Sequence, residues 1–178
     1  MAKARNPENV KLIIGLISKK EYLESVIGIL KKKIGAIDFY SDVFNFTHTD
    51  YYFKEMGSPL CRQFISFKKL VSPVCLWKMK RFTNKLENKF LKEGRRQINI
   101  DPGYLNFSKL VLASAKDFAH RIYLNKGIYA EITLIYQNEE YQKLEWTFPD
   151  YASETYRRLF KEVRNIYAKQ VKERKNIG

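Results

Sequence analysis

Most residues of this chain that could do chemistry lie between residues 98 and 151. They fall on short strand patterns and on the turns between them. Carboxylate and imidazole groups can transfer protons near neutral pH, whereas lysine and arginine can hold phosphate oxygens. The stretch therefore predicts an acid–base centre or an anion-binding site. Its candidate residues are Asn99, Asp101, Lys109, Lys116, His120, Arg121, Lys126, Glu131 and Asp150.

Asp101 opens the tripeptide Asp-Pro-Gly, which predicts the end of a strand over residues 97–101. Proline cannot continue a strand ladder, and Gly103 permits a tight turn. The carboxylate would then lie at the mouth of a loop, where it could serve as a base or as a metal ligand. The alternative is that Asp101 is only the first residue of a turn and binds the backbone, which is the commoner use of this tripeptide.

His120, Arg121 and Glu131 belong to a predicted hairpin formed by strands 119–124 and 127–136, with the turn at Asn125-Lys126-Gly127. Neighbouring strand residues point to opposite faces. Arg121 and Glu131 would therefore share a face, and His120 would point to the other one. That shared face is either a ligand surface or a solvated sheet face with a cross-strand ion pair. Neither histidine has the spacing of a metal site, so His120 could bind a metal only if the fold brings Asp101, Glu131 or Asp150 to it.

The elements that position these residues predict a single α+β domain over residues 1–178, with flexible ends at 1–9 and 173–178. The order strand, helix, strand, strand, helix, strand predicts a ferredoxin-like βαββαβ core. Antiparallel strands and a long terminal helix would extend this core at its C-terminal side. The core strands are expected at residues 10–17, 42–47, 60–71 and 97–101, with helices beginning at Ser18 and Ser72; the later strands at 109–114, 119–124, 127–136 and 141–148; and the last helix from Ser153 to about Lys172.

The charge of the chain favours an anionic partner. Lys plus Arg number 33 against 19 Asp plus Glu, which gives a formal net charge of +14. Such a surplus suits nucleic acid or nucleotides, although adaptation to heat or to genome composition would also produce it. No apolar run reaches the length of a membrane span, so we expect a cytoplasmic protein with no membrane partner. Trp146 and Phe148 are expected in the core, and Lys80 on the solvent face of its helix.

Several function classes have no motif here. The chain has no P-loop, no G-x-G-x-x-G after its first strand, no H-E-x-x-H and no G-x-S-x-G. The two cysteines, Cys61 and Cys75, show no C-x-x-C spacing, which indicates free thiols.

Four motifs together resemble a family of small bacterial proteins classed as a domain of unknown function. They are R-x-I-N-I-D-P-G-Y, K-L-V-L-A-S-A-K-D, H-R-I-Y-L-x-K-G-I-Y-A-E-I-T-L and W-T-F-P-D-Y, with T-D-Y-Y-F-K-E-M-G around Asp50 in addition. Members of that family are sometimes labelled GTP-binding proteins. The resemblance implies a shared fold and a shared site at Asn99, Asp101, Lys109, Lys116, His120, Arg121, Glu131 and Asp150, but no particular reaction.

We therefore expect a basic protein that binds a phosphorylated ligand, either a nucleotide or RNA. The alternative is a metal-assisted or acid–base enzyme acting on a phosphorylated substrate. Both depend on one expectation, which is that the Asp101 strand and the hairpin direct their charged groups into a common cleft. Its catalytic groups would be Asp101, His120 and Glu131, and its anion-binding groups Lys109, Lys116, Arg121 and Lys126.

Overall fold

One antiparallel sheet forms the middle layer of the computed structural model, which describes residues 1–176. The strands are β1 Lys11–Ser18, β2 Ile37–Tyr40, β3 Phe44–Asn45, β4 Cys61–Phe67, β5 Ile98–Leu105, β6 Lys109–Ser114, β7 Ile122–Asn125, β8 Ile128–Gln137 and β9 Glu140–Lys143. The helices are α1 Lys20–Ile34, α2 Phe53–Met56, α3 Leu76–Lys89, α4 Pro149–Ala152 and α5 Glu154–Lys175, with a 3₁₀ turn at Pro73–Cys75 before α3.

β1 is the central strand, and all eight of its residues are buried. It pairs with β4 on one side and with β5 on the other, in the sheet order β2-β4-β1-β5-β6-β8-β7. β3 adds to β4, and β9 adds to β8. Because both faces of β1 are covered, the strand is an almost unbroken apolar run rather than an alternating one.

Helices α1 and α3 cover one face of the sheet. Leu23, Val26 and Leu30 of α1 pack with Leu86 of α3 in one apolar cluster. The cluster also contains strand residues with even numbers, which point to this face by the alternation of a strand. These are Leu12, Ile14, Leu16, Ile98 and Ile100.

Helix α5 covers the other face. Its buried stripe is the one that helical spacing predicts: Tyr156, Leu159, Phe160, Val163 and Tyr167. Ser153 caps the helix as predicted, because its side chain accepts a hydrogen bond from the backbone N–H of Tyr156. The α+β class is thus confirmed, with helices and an antiparallel sheet in one layered structure.

The structure corrects several predicted boundaries. The second predicted strand is two short pieces, β2 and β3, and β2 begins five residues before residue 42. Ser18 lies inside β1 and caps nothing, since the residue that precedes α1 is Lys19. The first four strand regions follow the predicted order, and the finer ferredoxin-like assignment stays a prediction.

Helix α5 includes residues 173–175 of the C-terminal end that was predicted to be flexible, and residues 177–178 lie outside the described part. The flexibility of both ends stays a prediction. Among residues 1–176, no helix combines the length and the apolar composition needed to cross a bilayer.

Candidate functional site

A gap between β5 and β6 organises the site. The two strands pair only from Gly103 to Leu105, so the first half of β5 has no strand on that side. Two side chains of α3 fill the place of the missing strand. Glu87 accepts a hydrogen bond from the Ile100 N–H at 2.7 Å, and the Lys80 amine donates to the Ile100 carbonyl at 2.9 Å. Both are buried for this reason, and burial raises the pKa of the Glu87 carboxyl.

The gap also explains why β5 continues through Asp-Pro-Gly, where the sequence predicts a turn. Pro102 has no N–H to donate, and it lies one residue before the pairing with β6 begins. Gly103 is needed for close approach rather than for a turn. A Cβ at this position would lie 2.5 Å from the Val111 carbonyl oxygen of β6. Asp101 is therefore not a turn residue but a strand residue paired with Gly15.

Charged and polar groups from four elements meet at this gap and form what we term the Asp101 cluster: Arg62, Lys80, Asn99, Asp101 and Asp150. The Arg62 guanidinium lies 3.1 Å from the Asp150 carboxylate and 3.5 Å from that of Asp101. Asn99 donates to Asp101 at 2.7 Å, and Lys80 lies 3.5 Å from the other Asp101 oxygen. Of the two carboxylates, Asp101 is the more accessible, with 24% of its side chain exposed against 10% for Asp150.

Arg62 is almost completely buried, at 1% exposure. A buried charge requires partners, and the two carboxylates supply them. The guanidinium also lies over the rings of Phe64 and Tyr151, at 4.7 and 5.0 Å from their centroids. Gly15 leaves room for this packing, since a Cβ there would lie 3.3 Å from Arg62 Cζ and 3.0 Å from Tyr151 Oη.

Three buried polar atoms beside the cluster have no hydrogen-bond partner within residues 1–176: Arg62 Nε, Tyr151 Oη and Tyr156 Oη. Burial raises the pKa of Tyr151 well above its ordinary value and that of Tyr156 to about 12. Both hydroxyls therefore keep their protons.

The segment around α2 lies next to the cluster and is held there by Arg96. Arg96 pairs with Glu55 at 2.6 Å, donates to Asn99 Oδ1 at 3.0 Å and lies 5.7 Å from the Tyr52 ring centroid. The hydrogen bond from Arg96 lowers the pKa of Glu55. Burial, and then the charge of Asp101, raises the pKa of Tyr52.

A second polar group, the Glu131 cluster, consists of Ser114, His120, Arg121, Glu131 and Thr133. Arg121 Nε donates to Glu131 at 2.7 Å, and the His120 ring lies 3.2 Å from the same carboxylate oxygen. Arg121 also donates to Ser114 Oγ and to the Lys116 carbonyl, each at 3.0 Å. The carboxylate of Glu131 is buried among these groups, at 2% exposure.

The prediction that His120 and Arg121 point to opposite faces is wrong. They precede β7 in a turn, closed by a hydrogen bond from the Arg121 N–H to the Phe118 carbonyl. Strand alternation does not apply in a turn, so both side chains reach Glu131.

An exposed row of aromatic rings covers the Glu131 cluster. The His120 ring stacks on Trp146 at 5.1 Å with an angle of 7°, and the Phe118 ring lies 5.2 Å from the His120 ring at an angle of 55°. Trp146 is anchored by its indole N–H, which donates to the Ile132 carbonyl at 2.8 Å. The prediction that Trp146 and Phe148 lie in the core is wrong, because they are 39% and 44% exposed.

The two clusters lie on the same face of the sheet but do not merge. Glu131 is level with Gly103 across Leu112, which puts its Cα about 12 Å from that of Asp101 by standard strand spacings. No hydrogen bond or ion pair within residues 1–176 joins Asp101 to Glu131. Of the expected common cleft, the structure brings together His120, Arg121 and Glu131, and it places Asp101 with Asn99 and Asp150.

The three predicted anion-binding lysines are dispersed. Lys116 lies just beyond β6, where its amine contacts the hydroxyl of Tyr51 at 3.1 Å. Lys126 is exposed in the turn between β7 and β8, with φ of 51°. Lys109 begins β6 at the opposite end and lines a shallow groove with Asn106. Lys116 alone of the three is beside the Glu131 cluster.

Sequence reasoning missed Arg62, Lys80 and Glu87. The burial of Arg62 cannot be predicted from the sequence, because its strand mixes polar and apolar residues. The burial of Lys80 and Glu87 could have been predicted, because Leu76, Lys80, Thr83 and Glu87 follow the spacing of one helix face and all are buried. Within residues 1–176, no three His, Cys, Asp or Glu side chains are grouped so that they could hold a metal ion.

Comparison with known proteins gives one match. A family model described as Domain of unknown function (DUF4416) matches residues 8–167, a range that contains both clusters. No curated protein matches the chain, and no solved structure does.

Proposed function

The chain belongs to the DUF4416 family, a domain of unknown function, and we propose that it binds a phosphorylated ligand, either a nucleotide or RNA. The phosphate would bind at the surface formed by Lys116, His120 and Arg121, at the end of the sheet where β6 and β5 have separated. The Asp101 cluster lies on the same face and would meet the polar groups of the ligand.

One observation carries this proposal, namely that an exposed lysine, whose amine contacts the hydroxyl and ring of Tyr51, accepts a hydrogen bond from a fixed guanidinium at its backbone carbonyl. Lys116 forms no ion pair with any acidic side chain in residues 1–176, and its side chain is exposed. The neighbouring Arg121 is held by Glu131, by Ser114 and by the Lys116 carbonyl. A cation fixed before binding loses little conformational entropy when a phosphate arrives, which favours affinity. The net charge of +14 would draw an anion towards this surface.

The Asp101 cluster offers a different chemistry. It presents the partly exposed Asp101 carboxylate as an acceptor, with the hydroxyls of Tyr151 and Tyr156 buried behind it. Hydroxyl groups of a sugar are the partners that such an acceptor suits. The proposal thus assigns the phosphate to the Glu131 side and the sugar of the ligand to the Asp101 side.

Titration calorimetry with GTP, ATP and pyrophosphate tests the proposal. Lys116→Ala should weaken binding about tenfold, the effect of losing about 1.4 kcal/mol from one charged hydrogen bond. Lys32→Ala is the matched control, since Lys32 is an exposed lysine in the last turn of α1 and removes the same charge elsewhere. Failure of these three ligands and of a short oligoribonucleotide to bind, or equal affinities of wild type and Lys116→Ala, would disprove the proposal.

A second candidate is an enzyme that uses Asp101 as a base on a phosphorylated substrate. It is favoured by the exposure of Asp101 and by its long contacts, 3.5 Å, to both Arg62 and Lys80. A carboxylate that is partly open to solvent can accept a proton from a bound substrate. Incubation with nucleoside triphosphates, with phosphate release as the readout, should then show turnover that Asp101→Asn removes while binding by calorimetry persists.

A further inference from the structure

We propose that the aromatic row Phe118–His120–Trp146 is a stacking surface for a nucleobase attached to the bound phosphate. This rests on the proposed function and narrows the ligand to one that carries a flat ring. The ring would stack against the outer, exposed faces of the row, and its phosphate would reach Lys116.

The two outer rings of the row are exposed to solvent. Phe118 is 65% exposed and Trp146 is 39% exposed, although both are large apolar side chains. Exposed aromatic groups that lie together on a basic protein are typical of surfaces that stack on bases. The rings of Phe118 and Trp146 both pack on the His120 ring, so the three rings form one patch.

Hydrogen bonds from the sheet residues also hold the row in place. The His120 ring is fixed by Glu131, and the Trp146 indole is fixed by the Ile132 carbonyl. Glu131 is in turn held by Arg121. Aromatic rings that are already oriented give up little freedom when a base stacks on them, which is why rigid aromatic side chains bind well.

The proposed phosphate-binding lysine also lies close to the row along the chain. Phe118 follows Lys116 by two residues, so their Cα atoms are at most about 7 Å apart. An amine on a flexible side chain and an aromatic ring at such neighbouring positions can contact the phosphate and the base of a single nucleotide. Charge complementarity therefore selects a ring that carries an anion over a neutral apolar ligand.

The experiment compares ligands with and without a base on variants of Phe118. Calorimetry is run with ribose 5-phosphate, with a ribonucleoside monophosphate and with a short single-stranded oligoribonucleotide. Phe118→Ala should weaken both base-containing ligands by about five- to a hundredfold, the range seen when one stacking side chain is removed. Phe118→Tyr keeps the ring and should retain their affinity, and ribose 5-phosphate should bind equally to all forms.

Tyr123→Ala is the matched control, because Tyr123 is also exposed, at 58%, and its ring packs on Tyr129 rather than on a ring of the row. It should leave the affinity for all three ligands unchanged. Either base-containing ligand can satisfy the inference, and tighter, strongly salt-dependent binding of the oligonucleotide would identify RNA as the source of the base.

The outcomes separate the two proposals. If no phosphorylated compound binds, the proposed function fails, and this inference fails with it. If ribose 5-phosphate binds as tightly as the monophosphate and Phe118→Ala changes nothing, the phosphate site stands and the stacking surface is refuted.

Discussion

Gly15 determines how closely Arg62 and Tyr151 can lie against the centre of the sheet. A Cβ at position 15 would be 3.0 Å from both Phe64 Cε1 and Tyr151 Oη. These neighbours belong to the packed face beneath α5, so they have little room to move aside. The position therefore restricts the side chain to hydrogen for a packing reason and not for a backbone one.

Gly15→Ala should lower the free energy of unfolding by about 1–3 kcal/mol, as overpacking of a close-packed core does. Gly28→Ala is the control, since a Cβ there has nothing within 4 Å. That change in the exposed middle of α1 should raise stability by about 0.5–1 kcal/mol, because alanine is the better helix former. Urea unfolding measures both, and an equal response of the two variants would contradict the packing argument.

Glu87 makes stability depend on pH. Because burial raises its pKa in the folded protein, the folded state binds this proton more tightly than the unfolded state does. Its contribution is therefore fully present below the ordinary range for glutamate, and it is lost as the pH rises through the raised pKa. Glu87→Gln removes the titration and leaves an amide oxygen that can accept the hydrogen bond from Ile100.

We expect the difference in unfolding free energy between Glu87→Gln and wild type to shift in favour of the variant as the pH rises through that window. Unfolding in urea at a series of pH values measures the difference. A difference that stays constant with pH, or that moves in favour of wild type, would show that the carboxylate is not destabilised by burial.

At the scale of the elements, the start of α5 depends on one hydroxyl. Ser153 Oγ accepts from the Tyr156 N–H and donates to the Asp150 carbonyl, which links α5 to α4 and to the Asp101 cluster. Asp150 belongs to that cluster through Arg62. The cap is therefore expected to influence the cluster as well as the helix.

Ser153→Ala should cost about 0.5–2 kcal/mol, the usual effect of losing a helix cap. Ser72→Ala is the matched control, because Ser72 precedes the turn before α3 and its side chain makes no capping hydrogen bond. The control should change stability by less than about 0.5 kcal/mol. Thermal unfolding measures both, and comparable losses would show that the Ser153 hydrogen bond contributes little.

Some of the helices and strands could be predicted from the sequence, and others could not. The stripe of α5, the Ser153 cap and the β6 strand were predictable because local spacing determines them. The course of β5 was not, because Pro102 is tolerated only where β6 has separated from β5, and that separation is a tertiary feature. The same applies to the hydrogen bond from Lys80 to the carbonyl of Ile100.

In the candidate site, too, the contacts between residues close in sequence could be predicted, and the contacts between distant residues could not. Glu131, Arg121 and His120 meet because they are close in sequence and share a hairpin region. Arg62 comes from β4, two strands away from β5, and no local pattern connects it to Asp101. Contacts between distant segments are the part that a single sequence does not specify by periodicity.

Because the whole molecule has a net charge of +14, the salt dependence of binding can distinguish RNA from a small ligand. If the ligand is RNA, the logarithm of the association constant should fall linearly with the logarithm of the salt concentration, with a slope of about −0.7 per phosphate contact. Lys116→Ala should reduce that slope by about 0.7, whereas Lys32→Ala should leave it unchanged. Titrations between roughly 50 and 200 mM salt supply the slope, and a flat line would exclude a polymer ligand.

The replacement of a strand by two helix side chains beside β5 has a consequence for dynamics. The amide proton of Ile100 is protected by Glu87 of α3, not by a neighbouring strand. Its hydrogen exchange should therefore report the detachment of α3 from the sheet, even while β1 and β5 remain paired. A single backbone amide in this molecule thus measures how often α3 detaches from the sheet.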